Sequence, residues 1–111
     1  MFLATGLAGS QSVHKTQLLE LSQAILRGCK LKPRQCFGTY SHGNYACVIG
    51  AAEAGGFIGS EAYSFLGSYY SAGCPACADL LGRSFGELLI HLNDSHEWSR
   101  ERIAHFVESL G

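Results

Sequence analysis

The chain has 111 residues, a formal net charge of -1 at pH 7, 47% hydrophobic residues and 15% charged residues. This length corresponds to one domain, and the apolar content excludes an intrinsically disordered chain. Residues 1–40 carry five Lys or Arg and one Glu, whereas residues 41–111 carry three Arg and eight Asp or Glu. The acidic part would repel a phosphate backbone, so a nucleic-acid partner is disfavoured.

The chain contains five cysteines, and an odd number argues against a closed disulfide framework. The first residues lack the basic segment of a secretory signal. No apolar run reaches the ~18 residues that a membrane span needs. We therefore expect a cytoplasmic protein with reduced thiols and no membrane partner.

Residues 1–15 show no sustained periodicity and are predicted to form a flexible arm. Apolar residues then recur at helical spacing from Leu18 to Ile25. This pattern predicts a helix that is capped by Thr16 and ends at Gly28.

The pattern of residues in the middle of the chain predicts a hairpin and two helices. Residues 35–40 and 45–48 flank the turn-forming stretch 41–44, which indicates a short β-hairpin. The small residues of segment 47–54 predict a helix whose backbone packs closely against another backbone. Segment 60–70 predicts a helix with apolar residues on more than one side, which favours a place in the core.

Two helices are predicted in the last third. Ser84 and Glu87 form a capping-box pattern at the start of the first helix. Asn93 and Asp94 end this helix, and replacing either by Ala should cost about 1 kcal/mol. Ser99 caps the final helix. The fold predicted is mainly α: one small helical domain over 16–111, with a short β-hairpin and a zinc-knuckle-like segment at 74–98.

Four residues carry the most specific chemical pattern, C-x2-C-x13-H-x4-H, formed by Cys74, Cys77, His91 and His96. This spacing is typical of a zinc site. Two thiolates in a tight turn and two imidazoles about one helical turn apart can complete a tetrahedron around one ion. The sequence therefore predicts structural zinc bound by these four side chains.

The segment is similar to a Cys2His2 zinc finger, since Cys-Pro-x-Cys is a common knuckle and Phe85, Leu88 and His91 resemble the finger helix. The aromatic residue lies further from the cysteines than in a finger, and Asn93-Asp94 interrupts the helix between the histidines. The helix also lacks the Lys and Arg with which fingers contact DNA. The resemblance thus implies a metal but weakens a role in binding nucleic acid.

Alternative roles remain for the cysteines. Cys74 and Cys77 also resemble the Cys-Pro-x-Cys pair of thiol-disulfide oxidoreductases, which need a thiol at a helix amino terminus. Cys47 with His42 could form a nucleophile and base, although a buried structural Cys47 is favoured. If one histidine is not a ligand, Cys36, Cys47 or His42 would replace it.

Two further motifs resemble those of short, uncharacterised bacterial and phage proteins. The first is Cys-Val-Ile-Gly-Ala-Ala at 47–52, and the second is His-Leu-Asn-Asp-Ser-His-Glu-Trp-Ser-Arg-Glu-Arg-Ile-Ala at 91–104. This resemblance spans roughly residues 18–110 and implies one small module, without an activity.

The function expected from these patterns is a small, zinc-stabilised, non-enzymatic module that binds a protein partner or copies of itself. Catalysis at zinc is not expected, because a closed four-ligand site has no position for water. The alternatives are a redox protein that uses Cys74 and Cys77, and a weak nucleic-acid binder that uses the basic cluster at 27–34. We expect Cys29, Cys36 and Cys47 to be reduced and mostly buried.

Overall fold

The fold is mainly α-helical, as predicted. The computed structural model describes residues 2–70, 73–77 and 83–111, with the backbone alone for residues 2–14. The elements are α1 (Phe2–Leu31), β1 (Arg34–Gln35), β2 (Ser41–His42), β3 (Tyr45–Ala46), α2 (Val48–Ala54), α3 (Ser60–Leu66), β4 (Tyr69–Tyr70), β5 (Arg83–Ser84), α4 (Phe85–Asp94) and α5 (Arg100–Ser109). In the described parts of the chain, no helix combines the length and hydropathy needed to cross a bilayer.

The first helix is longer than predicted. It begins at Phe2 instead of next to Thr16, and it continues through Gly28 to Leu31. Gly28 does not end the helix because it lies where α1 passes α2, and a Cβ there would lie 1.7 Å from the backbone oxygen of Ala51. The backbone of the predicted arm, apart from Met1, belongs to this helix, and the arm's flexibility stays a prediction.

The close contact between α1 and α2 confirms the prediction from the small residues of segment 47–54. A Cβ on Gly55, just after α2, would lie 1.8 Å from the backbone oxygen of Ala24 in α1. Nearby, Arg27 Nε donates a hydrogen bond to the Gly55 carbonyl at 2.9 Å. Glycine at both crossings lets the two backbones touch, so the small residues set the distance between the helices.

The short β-hairpin is confirmed, although its first strand is displaced. The observed turn is Gly43-Asn44, with Gly43 at φ 58, and it joins β2 to β3 in antiparallel pairing. Strand β1 pairs with the other edge of β3 in parallel. The segment before β2 bends at Gly38, where φ is 80, so residues 36–40 form a connection instead of a strand.

The helix predicted over 60–70 is wrong in its second half. Helix α3 ends at Leu66, and Tyr69–Tyr70 form β4, which pairs antiparallel with β5. Gly67 follows α3 as its C-cap, and the Phe85 N–H donates to the Ser68 carbonyl at 2.8 Å. No local signal indicates this pairing, because the partners are far apart in the sequence: Tyr69 pairs with Ser84 and Tyr70 with Arg83.

Helix α4 lies in the core and begins with the predicted capping box. Ser84 Oγ accepts from the Glu87 N–H at 3.1 Å, and the Glu87 carboxylate accepts from the Ser84 N–H at 2.9 Å. The hydrogen bond from this backbone N–H holds the pKa of Glu87 below its usual value. The largest fully buried apolar side chains come from four helices: Leu21, Ile25, Val48, Leu88, Leu89, Leu92, Ile103 and Val107.

Asn93, at the end of α4, is fully buried and joins distant parts of the chain. Its Oδ1 accepts from the Val48 N–H at 3.1 Å and from Gln35 Nε2 at 2.9 Å. Its Nδ2 donates to the Cys36 carbonyl at 3.0 Å and to Asp94 Oδ1 at 2.7 Å. Asn93 therefore does more than form a local turn, because it satisfies the first N–H of α2 and a carbonyl beside β1.

Arg100, the first residue of α5, is also buried. It donates to the carbonyls of Lys32 at 2.6 Å and Pro33 at 3.0 Å, and at 3.3 Å to that of Ala46. The guanidinium therefore lies at the carboxyl end of α1, where the helix dipole favours a positive charge.

We predict that Gly28→Ala destabilises the protein by about 3 kcal/mol, because the new methyl group would collide with the backbone of α2. Helix propensity alone would instead make the Gly28→Ala protein more stable by about 1 kcal/mol. Urea unfolding measures the difference. The control Gln23→Ala, at an exposed position of the same helix, should change stability by less than about 0.5 kcal/mol. A stabilised Gly28→Ala protein would contradict the contact.

We predict that Asn93→Ala costs about 3 kcal/mol, because it leaves a buried N–H and a buried carbonyl without partners. Asn93→Asp should also destabilise, since a carboxylate oxygen would then face the Cys36 carbonyl. Thermal or urea unfolding distinguishes this role from that of a local turn, for which about 1 kcal/mol is expected. A loss no larger than that value for Asn93→Ala would refute the linking role.

Candidate metal centre

The first two candidate ligands lie on a short turn. Cys74 is buried and Cys77 is exposed. Gly73 precedes them at φ 81, a conformation that favours glycine, and the Ala76 N–H donates to Cys74 Sγ at 3.4 Å. This contact provides the backbone hydrogen bond to sulfur that a knuckle needs to stabilise a thiolate.

The two histidines are brought together by the end of α4. His91 lies on the last turns of the helix, and the His96 N–H donates back to the His91 carbonyl at 3.3 Å. The Trp98 N–H then donates to the Leu92 carbonyl at 3.1 Å. Between these two donors, Glu97 has φ 53 and is the non-glycine residue described in the left-handed region. The ring of His96 meets that of His91 edge to face, with centroids 4.7 Å apart, and the chain then continues through the left-handed Glu97 to α5.

The four predicted ligands converge on one point. Their ligand atoms all lie within 4.8 Å of one another. His91 Nε2 lies 3.1 Å from His96 Nε2 and 3.6 Å from Cys77 Sγ. A tetrahedral zinc ion requires about 3.3 Å between two nitrogens and about 3.5 Å between nitrogen and sulfur. The Cys2His2 group could therefore hold a metal ion without a large rearrangement.

The chemistry of the donor set favours zinc over harder cations. Two sulfurs and two imidazole nitrogens are typical ligands of tetrahedral zinc, whereas calcium and magnesium prefer oxygen. Two thiolates also balance the charge of a divalent ion, which helps to place it beside the buried Cys74. With four protein ligands the set is complete, so no coordination position remains for a reacting water.

The substitute ligands considered from the sequence lie elsewhere. Cys36 Sγ is close to the carbonyl of Thr39 at 3.4 Å, and Cys47 Sγ accepts from the Gly50 N–H at 3.5 Å as the cap of α2. His42 stacks on Tyr45, with ring centroids 5.0 Å apart. None of these three belongs to the described Cys2His2 group.

Cys47 has the environment of a structural residue. It is 3% exposed, and burial raises the pKa of its thiol. A nucleophilic cysteine needs a lowered pKa and access to substrate. Cys29 also has the environment of a structural residue, since burial raises the pKa of its thiol to about 11.

The sequence spacing identified the four residues, but it gave no sign of two features that support them. One is the Ala76 N–H on Cys74, and the other is the left-handed Glu97. Glutamate is common in helices and in loops, so its presence at position 97 does not indicate a left-handed residue. Residues 78–82 of the predicted zinc-binding segment lie outside the described residues.

Comparisons of the chain with protein-family models, with curated proteins and with solved structures gave no match. The resemblances to zinc fingers and to short bacterial and phage proteins therefore stay predictions, and the site is argued from its geometry.

We predict that Glu97→Gly leaves the protein at least as stable, with a gain of up to about 1 kcal/mol, because glycine adopts the left-handed region without a penalty. The control His105→Gly, at an exposed position within α5, should cost about 1 kcal/mol. Urea unfolding of both variants makes the comparison. Equal losses in the two variants would show that Glu97 is not held in the left-handed region.

Proposed function

We propose that the protein is a small, non-enzymatic interaction module whose fold is stabilised by one zinc ion on Cys74, Cys77, His91 and His96. The observation that carries the proposal is the convergence of these four ligand atoms within 4.8 Å of one another, with His91 Nε2 at 3.1 Å from His96 Nε2 and 3.6 Å from Cys77 Sγ, which suit a tetrahedral ion. The module acts by binding a protein partner or further copies of itself.

The closed donor set and the burial of the other thiols support a structural role. A catalytic zinc keeps one position open, whereas four protein ligands fill the shell here. Cys29, Cys36 and Cys47 are free and buried. Free thiols of this kind suit a reducing compartment such as the cytoplasm, where we place the protein.

The redox alternative is less well supported than the metal. Both thiols lie beside two imidazoles, and a dithiol that cycles with a disulfide has no need of them. The described part of the turn at 73–77 also does not place Cys74 at the amino terminus of a helix. Such a position is what usually lowers the pKa of a redox thiol.

Nucleic-acid binding is also less well supported. In zinc fingers, the helix that carries the first histidine enters the major groove. Here Leu88, Leu89 and Leu92 bury that helix in the core, and α4 contains no Lys or Arg. Fewer phosphate contacts would be available than a binder of this kind needs.

We predict that protein purified without added metal contains about one zinc ion per chain, and that a chelator lowers its stability. A site filled at a hundred times its dissociation constant contributes about 2.7 kcal/mol. Elemental analysis and thermal unfolding measure the two quantities. Thiol titration should show that chelation releases Cys74 and Cys77, whereas Cys29, Cys36 and Cys47 react slowly before and after.

His96→Ala should reduce zinc content and remove the stabilisation by metal, whereas the control His105→Ala, on the exposed side of α5, should change neither. Cobalt substituted into the wild-type protein should give the visible spectrum of a tetrahedral thiolate site. Absence of metal together with a reversible disulfide between Cys74 and Cys77 would favour the redox alternative and overturn the proposal.

A further inference from the structure

An open apolar groove that no candidate metal ligand lines lies between α1, α3 and β4. Its volume is about 670 Å³. Its apolar and aromatic lining residues are Leu18, Phe65, Tyr69, Tyr70, Phe85 and Leu110. This volume falls within the range of about 300–1,000 Å³ that is typical of ligand sites.

The groove exposes large apolar side chains to solvent. Tyr69 is 72% exposed and Leu110 is 39% exposed, while Phe65 and Tyr70 are half-buried. Phe65 and Phe85 meet edge to face, with centroids 5.4 Å apart, and form a rigid floor. Contiguous apolar surface of this kind on a small protein marks an interaction site, and tyrosines are enriched where partners bind.

Glu61 is the charged residue described in the lining of the groove. Glu61, in the first turn of α3, lines the groove and also lines an adjoining hollow together with Glu20. Gln17 is shared by both cavities. No Lys or Arg is among the described residues that line either cavity. One carboxylate on the groove, Glu61, and a second in the adjoining hollow, Glu20, favour a partner that carries positive charge next to apolar side chains.

We propose that this groove binds a cationic amphipathic peptide segment of a partner protein, with its apolar side chains on the aromatic floor and its Lys or Arg beside Glu20 and Glu61. The inference rests on the proposed function only in that the module binds a protein, because no metal ligand lines the groove. Anionic partners such as nucleic acid or acidic lipid would meet the two carboxylates and are disfavoured.

The experiment uses the full-length, zinc-loaded chain and a fluorescein-labelled synthetic peptide. In this peptide Leu and Phe recur at helical spacing and Lys fills the other positions, and in a matched peptide Glu replaces every Lys. Fluorescence anisotropy should show that the Lys peptide binds and that the Glu peptide binds at least about tenfold more weakly. Affinity for the Lys peptide should fall as salt is added.

Three variants locate the binding. Tyr69→Ala removes an exposed aromatic ring and should weaken binding of the Lys peptide about tenfold. Glu61→Lys should weaken it and should strengthen binding of the Glu peptide. The control Tyr40→Ala, at a 59% exposed tyrosine just before β2 that does not line the groove, should leave both affinities unchanged.

Equal binding of the two peptides, or equal effects of Tyr69→Ala and Tyr40→Ala, would overturn the groove as the site. A dimer seen by analytical ultracentrifugation and lost in Tyr69→Ala would assign the groove to a second copy and would also overturn the proposal. Zinc content is measured on the same samples. A zinc-loaded protein that does not bind the Lys peptide refutes this inference alone, whereas a zinc-free protein that binds it refutes the metal centre alone.

Discussion

The arrangement of the core depends on the side-chain amide of Asn93, which is buried and uses both its oxygen and its nitrogen for two contacts each. These contacts tie the end of α4 to the start of α2 and to the chain beside β1. The cost of burying an amide is recovered only while every partner is present, so the four bonds specify one position for the end of α4. His91 lies two residues before Asn93 on α4, and His96 lies in the turn that follows the end of this helix. The constraint that fixes the core therefore also fixes two of the four candidate ligands.

A bound metal ion would hold in place the turn at 73–77, which little regular structure supports. The regular structure described on either side of this turn in the sequence is the pairing of β4 with β5, which has two residues in each strand. Pairing over two residues orders only a short part of the chain. Fixing the backbone of each residue costs about 1–2 kcal/mol in conformational entropy. Zinc on two residues of the turn, on His91 of α4 and on His96 of the α4–α5 connection would offset part of this cost. A small domain buries a limited share of its surface, so such a cross-link contributes a large part of its net stability.

Features encoded locally could be predicted from the sequence, and features that depend on distant partners could not. The capping box at Ser84, the cap at Ser99 and the spacing of the four Cys and His residues need only their immediate neighbours. Gly28 was predicted to end a helix, because the neighbouring sequence does not show that α2 packs against this glycine. Tyr69–Tyr70 continue a helical pattern in sequence, yet pairing with β5 overrides it. The buried Arg100 likewise looks like a surface charge until the carbonyls at the end of α1 are placed around it.

The same two tyrosines connect the candidate metal centre with the groove. Tyr70 lines the groove, and its pKa is raised by burial and, to a smaller extent, by the nearby Cys74. One wall of the groove is thus formed by the strand that leads to the first candidate ligand, while the facing walls belong to α1 and α3. A metal ion bound to Cys74 would restrict β4 from its carboxyl side, and the pairing with β5 restricts it along its length. Because a preorganised surface loses less conformational entropy when a partner binds, stabilising this wall would favour the proposed binding even though no candidate metal ligand lines the groove.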